Sequence, residues 1–253
     1  MSEDTFKHFI EITKRLRREC PWDREQTHTS IRNAIIEEAY ETVEAIDAND
    51  MEEFKKELGD LLLQVVFHSN IAEETNEFTL DDVIRGITKK LIDRHPHVFG
   101  ETKVSGAEHV KQNWEKLKLK EGRTSVVDGV PKEMPALLRA HRLQDKASKV
   151  GFDWRKREDV WKKVEEEIEE LHTALRDSGQ EEIEGEFGDL LFGLVNYSRF
   201  LKIDPERALR NSSQKFITRF QYIEKRLKEM GKDIHSTTLE EMDRLWEEAK
   251  GRV

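Results

Sequence analysis

Apolar residues recur along this chain at steps of three and four, with few β-branched alternations, and that spacing predicts a protein helical almost throughout. Helices are expected near 4–19, 29–48, 51–74, 80–94 and 106–120, and again near 135–148, 158–177, 180–201, 205–230 and 238–250. Their starts carry chemical signals. Thr79 stands three residues before Asp82, Ser105 before Glu108 and Thr238 before Glu241, each a hydroxyl that can cap a helix followed by an acid that can return the hydrogen bond. Asp204-Pro205 puts a proline in a first turn, where its missing N–H leaves no bond unmade. The runs Leu61-Leu62-Leu63-Gln64-Val65-Val66-Phe67 and Leu190-Leu191-Phe192-Gly193-Leu194-Val195 are apolar on nearly every side, the pattern of a buried helix. Between the two sets, Glu121–Pro135 holds two glycines and two prolines and no clear period. The expected architecture is all-α: two tandem helical bundles, residues 1–122 and 135–253, joined by a linker over 123–134.

The polar positions repeat as well. Glu37-Glu38-Ala39-Tyr40-Glu41 followed by Glu57-Leu58-Gly59-Asp60 returns as Glu166-Glu167-Ile168-Glu169-Glu170 followed by Glu186-Phe187-Gly188-Asp189, at a constant offset of 129 (166 − 37, 170 − 41, 186 − 57, 189 − 60). This is an internal duplication. Residues three or four apart share a helix face, so Glu38 with Glu41, and Glu57 with Asp60, make carboxylate pairs. Two such pairs on packed helices form a cage for a hard divalent cation. Carboxylates converging near a core repel one another and lose hydration unless paired or metal-bound, and all-oxygen ligation favours magnesium or manganese over zinc. Gly59 and Gly188 weaken a helix interior, which suggests that a backbone or a ligand approaches closely there. Beyond the acids, Lys90 and Arg94 correspond to Lys215 and Arg219, and Trp114 echoes Trp246. A Lys/Arg pair can grip phosphate oxygens and an aromatic ring can stack on a base. Seen alone, each is more often a solvated pair or a core tryptophan.

Composition narrows the classes. The chain has 253 residues, 38% of them charged, and a formal net charge of −10, which argues against nucleic-acid binding because phosphates call for a basic face. The single cysteine, Cys20, excludes an intramolecular disulfide and fits a reducing compartment. No segment approaches the ~18 apolar residues of a membrane span, and the amino-terminal segment is too polar for a signal peptide. A cytoplasmic protein with no membrane attachment is expected.

With these residues in view, the chain resembles the two-domain MazG family of nucleoside triphosphate pyrophosphohydrolases over nearly its full length. The likeness rests on Cys20-Pro21-Trp22-Asp23, Ile36 to Glu41, Glu57 to His68 and Arg94 to Gly100 in the first half. In the second it rests on Val150 to Trp154, Val164 to Glu170, Gly185 to Asp189, Lys215 to Phe220 and Leu239 to Trp246. The resemblance implies an all-α, magnesium-dependent homodimeric enzyme that cleaves nucleoside triphosphates between the α and β phosphates, giving a monophosphate and pyrophosphate, with a role in clearing unwanted nucleotides. It implies metal ligands at Glu167, Glu170, Glu186 and Asp189, and substrate contacts at Lys163, Glu167, Glu186, Asp189, Lys215, Arg219 and Trp246. Glu166 completes the catalytic set with Glu167, Glu170, Glu186 and Asp189, and Glu166 or Glu186 is the expected proton acceptor. Manganese is an expected substitute, and Glu38, Glu41, Glu57 and Asp60 are a possible second metal site.

Family resemblance makes the second half the main catalytic candidate. The first half departs in Leu91 for Phe216 and His95 for Phe220, which touches its nucleotide pocket more than its acids. Two other functions are compatible with parts of the pattern. One is a di-iron bundle using Glu25 to His28 and Glu169 to His172, although these stand at non-equivalent places in the repeat. The other is a non-catalytic module that binds metal and nucleotide.

Overall fold

The computed structural model describes residues 3–106, 109, 110, 113 and 124–252, and among these the regular structure is helix without strand. The chain divides into two compact units, Met1–Ser105 and Gly106–Val253. The first holds α1 (Glu3–Glu19), α2 (Pro21–Glu25), α3 (Arg32–Asp47), α4 (Met51–Glu74), α5 (Leu80–Arg94) and α6 (Pro96–Phe99). The second holds α7 (Ala136–Ser148), α8 (Arg157–Asp177), α9 (Gln180–Leu201), α10 (Pro205–Glu229), a 3-10 turn at Ile234–Ser236 and α11 (Leu239–Lys250). The expected helix over 106–120, with its Ser105–Glu108 cap and Trp114, falls largely outside the described residues.

In each unit the centre is a helical hairpin, α3–α4 or α8–α9, and the duplication maps one onto the other. The α3–α4 turn is set by Asn49, whose φ of 56° is left-handed, and by Asp50, whose carboxylate accepts from the Glu52 and Glu53 amides to cap α4. Thr79 and Asp82 exchange the full capping box, and Asp204 and Thr238 cap α10 and α11.

α1 packs on α4 through a polar seam. Thr13 is buried, and the Asn70 amide nitrogen donates to its hydroxyl at 3.4 Å. Arg17, also buried, forks onto both Glu74 oxygens at 2.9 Å and donates to the Asp23 and Gln26 carbonyls, tying α1 to α4 and to the α2 segment. In the second unit α7 lies against α9 and α10, and α10 against α11 over Ile223, Leu227 and Leu245. The buried Lys146 donates to the Val126 carbonyl at 2.7 Å, which fastens the segment before α7 to that helix.

The expectation of helices buried all round fails. Leu58, Leu62 and Val65 on α4 are 47%, 39% and 47% exposed, and Phe187, Leu191 and Leu194 on α9 are 53%, 41% and 42% exposed. Within its unit α4 packs on α3, α1 and α5, and α9 on α8 and α7, and these apolar residues stay uncovered.

Candidate metal centres and an adjoining cavity

In the first unit, α3 presents Glu38 and Glu41 one turn apart and α4 brings Glu57 against them. One oxygen from each of the three lies within 4.8 Å of the others. Glu57 is buried and its Oε2 has no hydrogen-bond partner. Burial raises its carboxyl pKa, and the charges of Glu41, Glu53, Asp60 and Glu38 push the same way. Glu38 is raised by burial and by Asp60 and Glu41, against a lowering hydrogen bond with Gln64. Asp60 therefore acts on the group electrostatically without joining the converging three. Among the described residues, no lysine or arginine ion pair neutralises any of the four. A cleft of about 490 Å³ beside them is lined by further acids, Glu44, Asp50 and Glu53.

The second unit repeats the arrangement with Glu167, Glu186 and Asp189, again within 4.8 Å. It adds a cation: the Lys163 ammonium lies 2.7 Å from Glu166, 2.9 Å from Glu167 and 3.9 Å from Glu170. Hydrogen bonds to Glu166 and then Glu167 hold Lys163 well above the usual lysine range. Glu170, exposed and outside the converging three, is raised first by burial and then by Glu167, with Lys163 opposing. The repeat places Ala34 where Lys163 stands (163 − 129), so the first unit's acids lack this internal cation.

Both groups offer carboxylate oxygen only, the donor set of a hard cation, and the orphaned Glu57 oxygen is the sign of a missing positive partner. Of the two readings of the paired glycines, the close backbone is corrected: a Cβ on Gly59 or Gly188 meets nothing within 4 Å, so no backbone of this chain's described residues presses on either. On the same helix as Gly188, Gly193 faces α8, and a Cβ there would stand in ordinary contact with Val164 at 3.6 Å and Glu167 at 3.8 Å.

Behind the second acid group, α7, α8 and α9 enclose a cavity of about 490 Å³. Its walls are mostly apolar, with Leu143, Phe152, Trp154 and Phe192 among them, and Lys163, Glu167 and Asp189 also line it.

The expected substrate contacts Lys215, Arg219 and Trp246 stand on α10 and α11. Among the described residues, no hydrogen bond or ion pair joins Lys215, Arg219 or Trp246 to the acids. Lys215 is exposed. Trp246 is half-buried on the α10–α11 core, its ring 5.3 Å from Phe216 and 5.5 Å from the Arg219 guanidinium. In the first unit Lys90 is exposed and Arg94 buried. The histidines of the di-iron alternative contribute to neither acid group: His28 pairs with His68, Nδ1 to Nδ1 at 2.8 Å, and His172 is exposed. The residues missed in the sequence are those that shape the cavity, Gln144, Gly193 and Asn196. Carrying the repeat past the acids signals two of them, since Gly193 and Asn196 replace Gln64 and Phe67 (193 − 129, 196 − 129).

The MazG nucleotide pyrophosphohydrolase domain matches residues 26–99 and 155–223, one span in each unit and each including its central hairpin. A Thermotoga maritima protein named nucleoside triphosphate pyrophosphohydrolase/pyrophosphatase MazG is 46% identical over 97% of this chain and 96% of its own length. The Escherichia coli nucleoside triphosphate pyrophosphohydrolase is 38% identical over 91% and 90% respectively. A crystal structure of a MazG-related protein from Thermotoga maritima, 26% identical, aligns with 45% of this chain and 98% of its own with a TM-score of 0.40.

Proposed function

The chain belongs to the MazG nucleotide pyrophosphohydrolase family, and from that membership we propose that its second unit hydrolyses nucleoside triphosphates with magnesium at the α–β phosphate bond, giving a monophosphate and pyrophosphate. The observation that carries this reading is the convergence of Glu167, Glu186 and Asp189 beside Lys163 and an open cavity. Magnesium, or manganese in its place, would be held by these three carboxylates with Glu170 one turn on, and supplies charge neutralisation for the triphosphate and a more acidic water. The rest belongs to the chain's own residues. Glu166 takes the water's proton in this reading, supported by its exposure and by its contact with Lys163, which also pairs with Glu167. Lys163, a compact charge on a flexible stem, exchanges its carboxylates for phosphate oxygens when substrate arrives. Lys215 and Arg219 serve the outer phosphates, and Trp246 braces the Arg219 guanidinium from below.

The first unit is proposed to bind a divalent cation without turning over nucleotide. Its acids have no counterpart of Lys163, and the cleft beside them carries more carboxylates, which repel a triphosphate. A homodimer is proposed from the uncovered apolar surface of α4 and α9, and clearance of unwanted nucleotides as the cellular role.

The test is product analysis with a panel of nucleoside triphosphates and magnesium. Monophosphate and pyrophosphate, lost on chelation and in Glu186→Gln but kept in Glu57→Gln, are expected. Diphosphate and phosphate would refute the bond assignment, and no turnover with magnesium or manganese would leave a binding module.

A further inference from the structure

We propose that the acidic cleft of the α3–α4 hairpin is a ligand site of the first unit, and that its ligand is a small linear polyamine, a methylene chain carrying two or three ammonium groups. The proposal does not rest on the hydrolysis reading above, and its test uses no turnover.

The charge of the cleft follows from local spacing. Glu41, Glu44, Ala45 and Ala48 fall at i, i+3, i+4 and i+7 along α3 and its C-cap, which is one helical face. Asp50, Glu53 and Glu57 fall at i, i+3 and i+7 along α4 and its N-cap, again one face. The hairpin brings the two faces together, and these residues line the cleft of about 490 Å³. All but the two alanines are carboxylates. Lys56 pairs with Glu53, and the Asp50 carboxylate accepts from two backbone amides. Glu41, Glu44 and Glu57 make no hydrogen bond or ion pair among the described residues.

Glu57 supplies a second observation that points to a ligand. It lines the cleft, is only 7% exposed, and its Oε2 is shielded from solvent without a partner. A carboxylate taken out of water unpaired is costly, so a cationic group is missing at this end of the cleft.

A metal ion answers only part of that demand. The oxygens that converge for a divalent cation, from Glu38, Glu41 and Glu57, lie within 4.8 Å of one another, and Glu44, Asp50 and Glu53 take no part in that group. From Asp50 to Glu57 the acids extend over seven residues, about 10 Å along α4. A linear polyamine spans this length. Its ammonium groups stand three or four methylenes apart, close to the ~5.4 Å between successive helical turns, and each donates to carboxylates of both helices. Ala45 and Ala48 leave room between the acids for the methylenes.

The duplication shows what belongs to this unit alone. At the offset of 129, Thr173 stands for Glu44, Gly179 for Asp50 and Asp177 for Ala48. The second unit also holds its own cation, Lys163, on Glu166 and Glu167. It therefore has fewer acids at these places, a charge where the methylenes would lie, and less need of an ammonium from outside.

The experiment is equilibrium dialysis of the metal-free full chain against spermidine at physiological ionic strength, with Glu44→Gln, Glu53→Gln and Glu182→Gln, the last being the second unit's counterpart of Glu53. Manganese binding is followed in parallel by electron paramagnetic resonance. Glu44→Gln and Glu53→Gln are each expected to weaken spermidine about tenfold, through loss of a hydrogen bond to a charged group, with manganese affinity unchanged. Glu182→Gln is expected to change neither. Hexamminecobalt(III), a compact cation of the same charge, is expected to bind about tenfold more weakly than spermidine, because it cannot follow acids spread over two helical turns. The proposal is overturned by no spermidine binding, by equal binding of the two cations, or by undiminished binding in Glu44→Gln and Glu53→Gln. An equal loss of manganese and spermidine in those variants would assign both to the converging acids and overturn it as well.

Discussion

Glu57 holds the clearest residue-scale signal in the first unit, a buried carboxylate oxygen with no partner amid acids that raise its pKa. Replacing it with glutamine removes one of the repelling charges and adds a donor for Glu38 or Glu41. Glu57→Gln is therefore expected to raise the melting temperature of the metal-free protein and to lose the increment that magnesium gives through this site; a fall in the metal-free melting temperature would show that the ionised carboxylate is not a burden. Lys163 argues the opposite way in the second unit, where it neutralises Glu166, Glu167 and Glu170. Lys163→Ala, the first unit's own residue, removes a cation that competes with metal, so manganese should bind the second group more tightly by about tenfold, within the range seen when groups around a metal site are changed. Titration monitored by electron paramagnetic resonance reads this directly. The acids themselves were legible from the duplication. That Asp60 and Glu170 stand outside the converging oxygens was not, because helical spacing fixes a face and leaves the side chains' meeting point to the packing of a second helix.

At the scale of elements, the chemical start signals held at Thr79, Asp204 and Thr238, since a cap depends on residues three apart. The five-residue α2 was not expected, being too short to show a period. Asp50 is the cap of α4, the helix that delivers Glu57, and Asp50→Ala is expected to cost about 1 kcal/mol in urea denaturation. The α2 segment meets α4 through His28 and His68, whose Nδ1 atoms share one proton at 2.8 Å. Burial, and then His28, lowers the His68 pKa. A base whose folded pKa is depressed contributes stability that is fully present above its unfolded pKa of about 6.5 and is lost as the pH falls through the folded value. Lowering the pH from 7.5 to 5.5 should therefore loosen this contact, read as lower amide protection factors over residues 20–31 once the slower intrinsic exchange at the lower pH is divided out. His68→Gln should remove that pH dependence, and its persistence would assign the effect to other groups.

For the molecule as a whole, the largest departure from expectation lies in α4 and α9. Their all-round apolar character was read as burial within the fold, yet Leu58, Val65, Phe187 and Leu194 remain more than 40% exposed. Patches of this kind mark association surfaces. Sedimentation velocity should find a dimer, and Leu191→Glu with Leu194→Glu should shift it to monomer or to aggregate; a monomer before substitution would leave these surfaces for another partner.

Sequence by itself determined the helices, their caps, the duplication and the acidic faces, because each arises from residues within a turn or two of one another or from a repeat visible by alignment of the chain with itself. Only the tertiary structure decided that Glu57 keeps an unmet oxygen and that a cavity opens behind the second acids. The first depends on α4 packing against α3 and the second on α7 crossing α9, where Gln144 meets a carbonyl 48 residues along the chain, and no local pattern reports which groups such packing leaves without a partner.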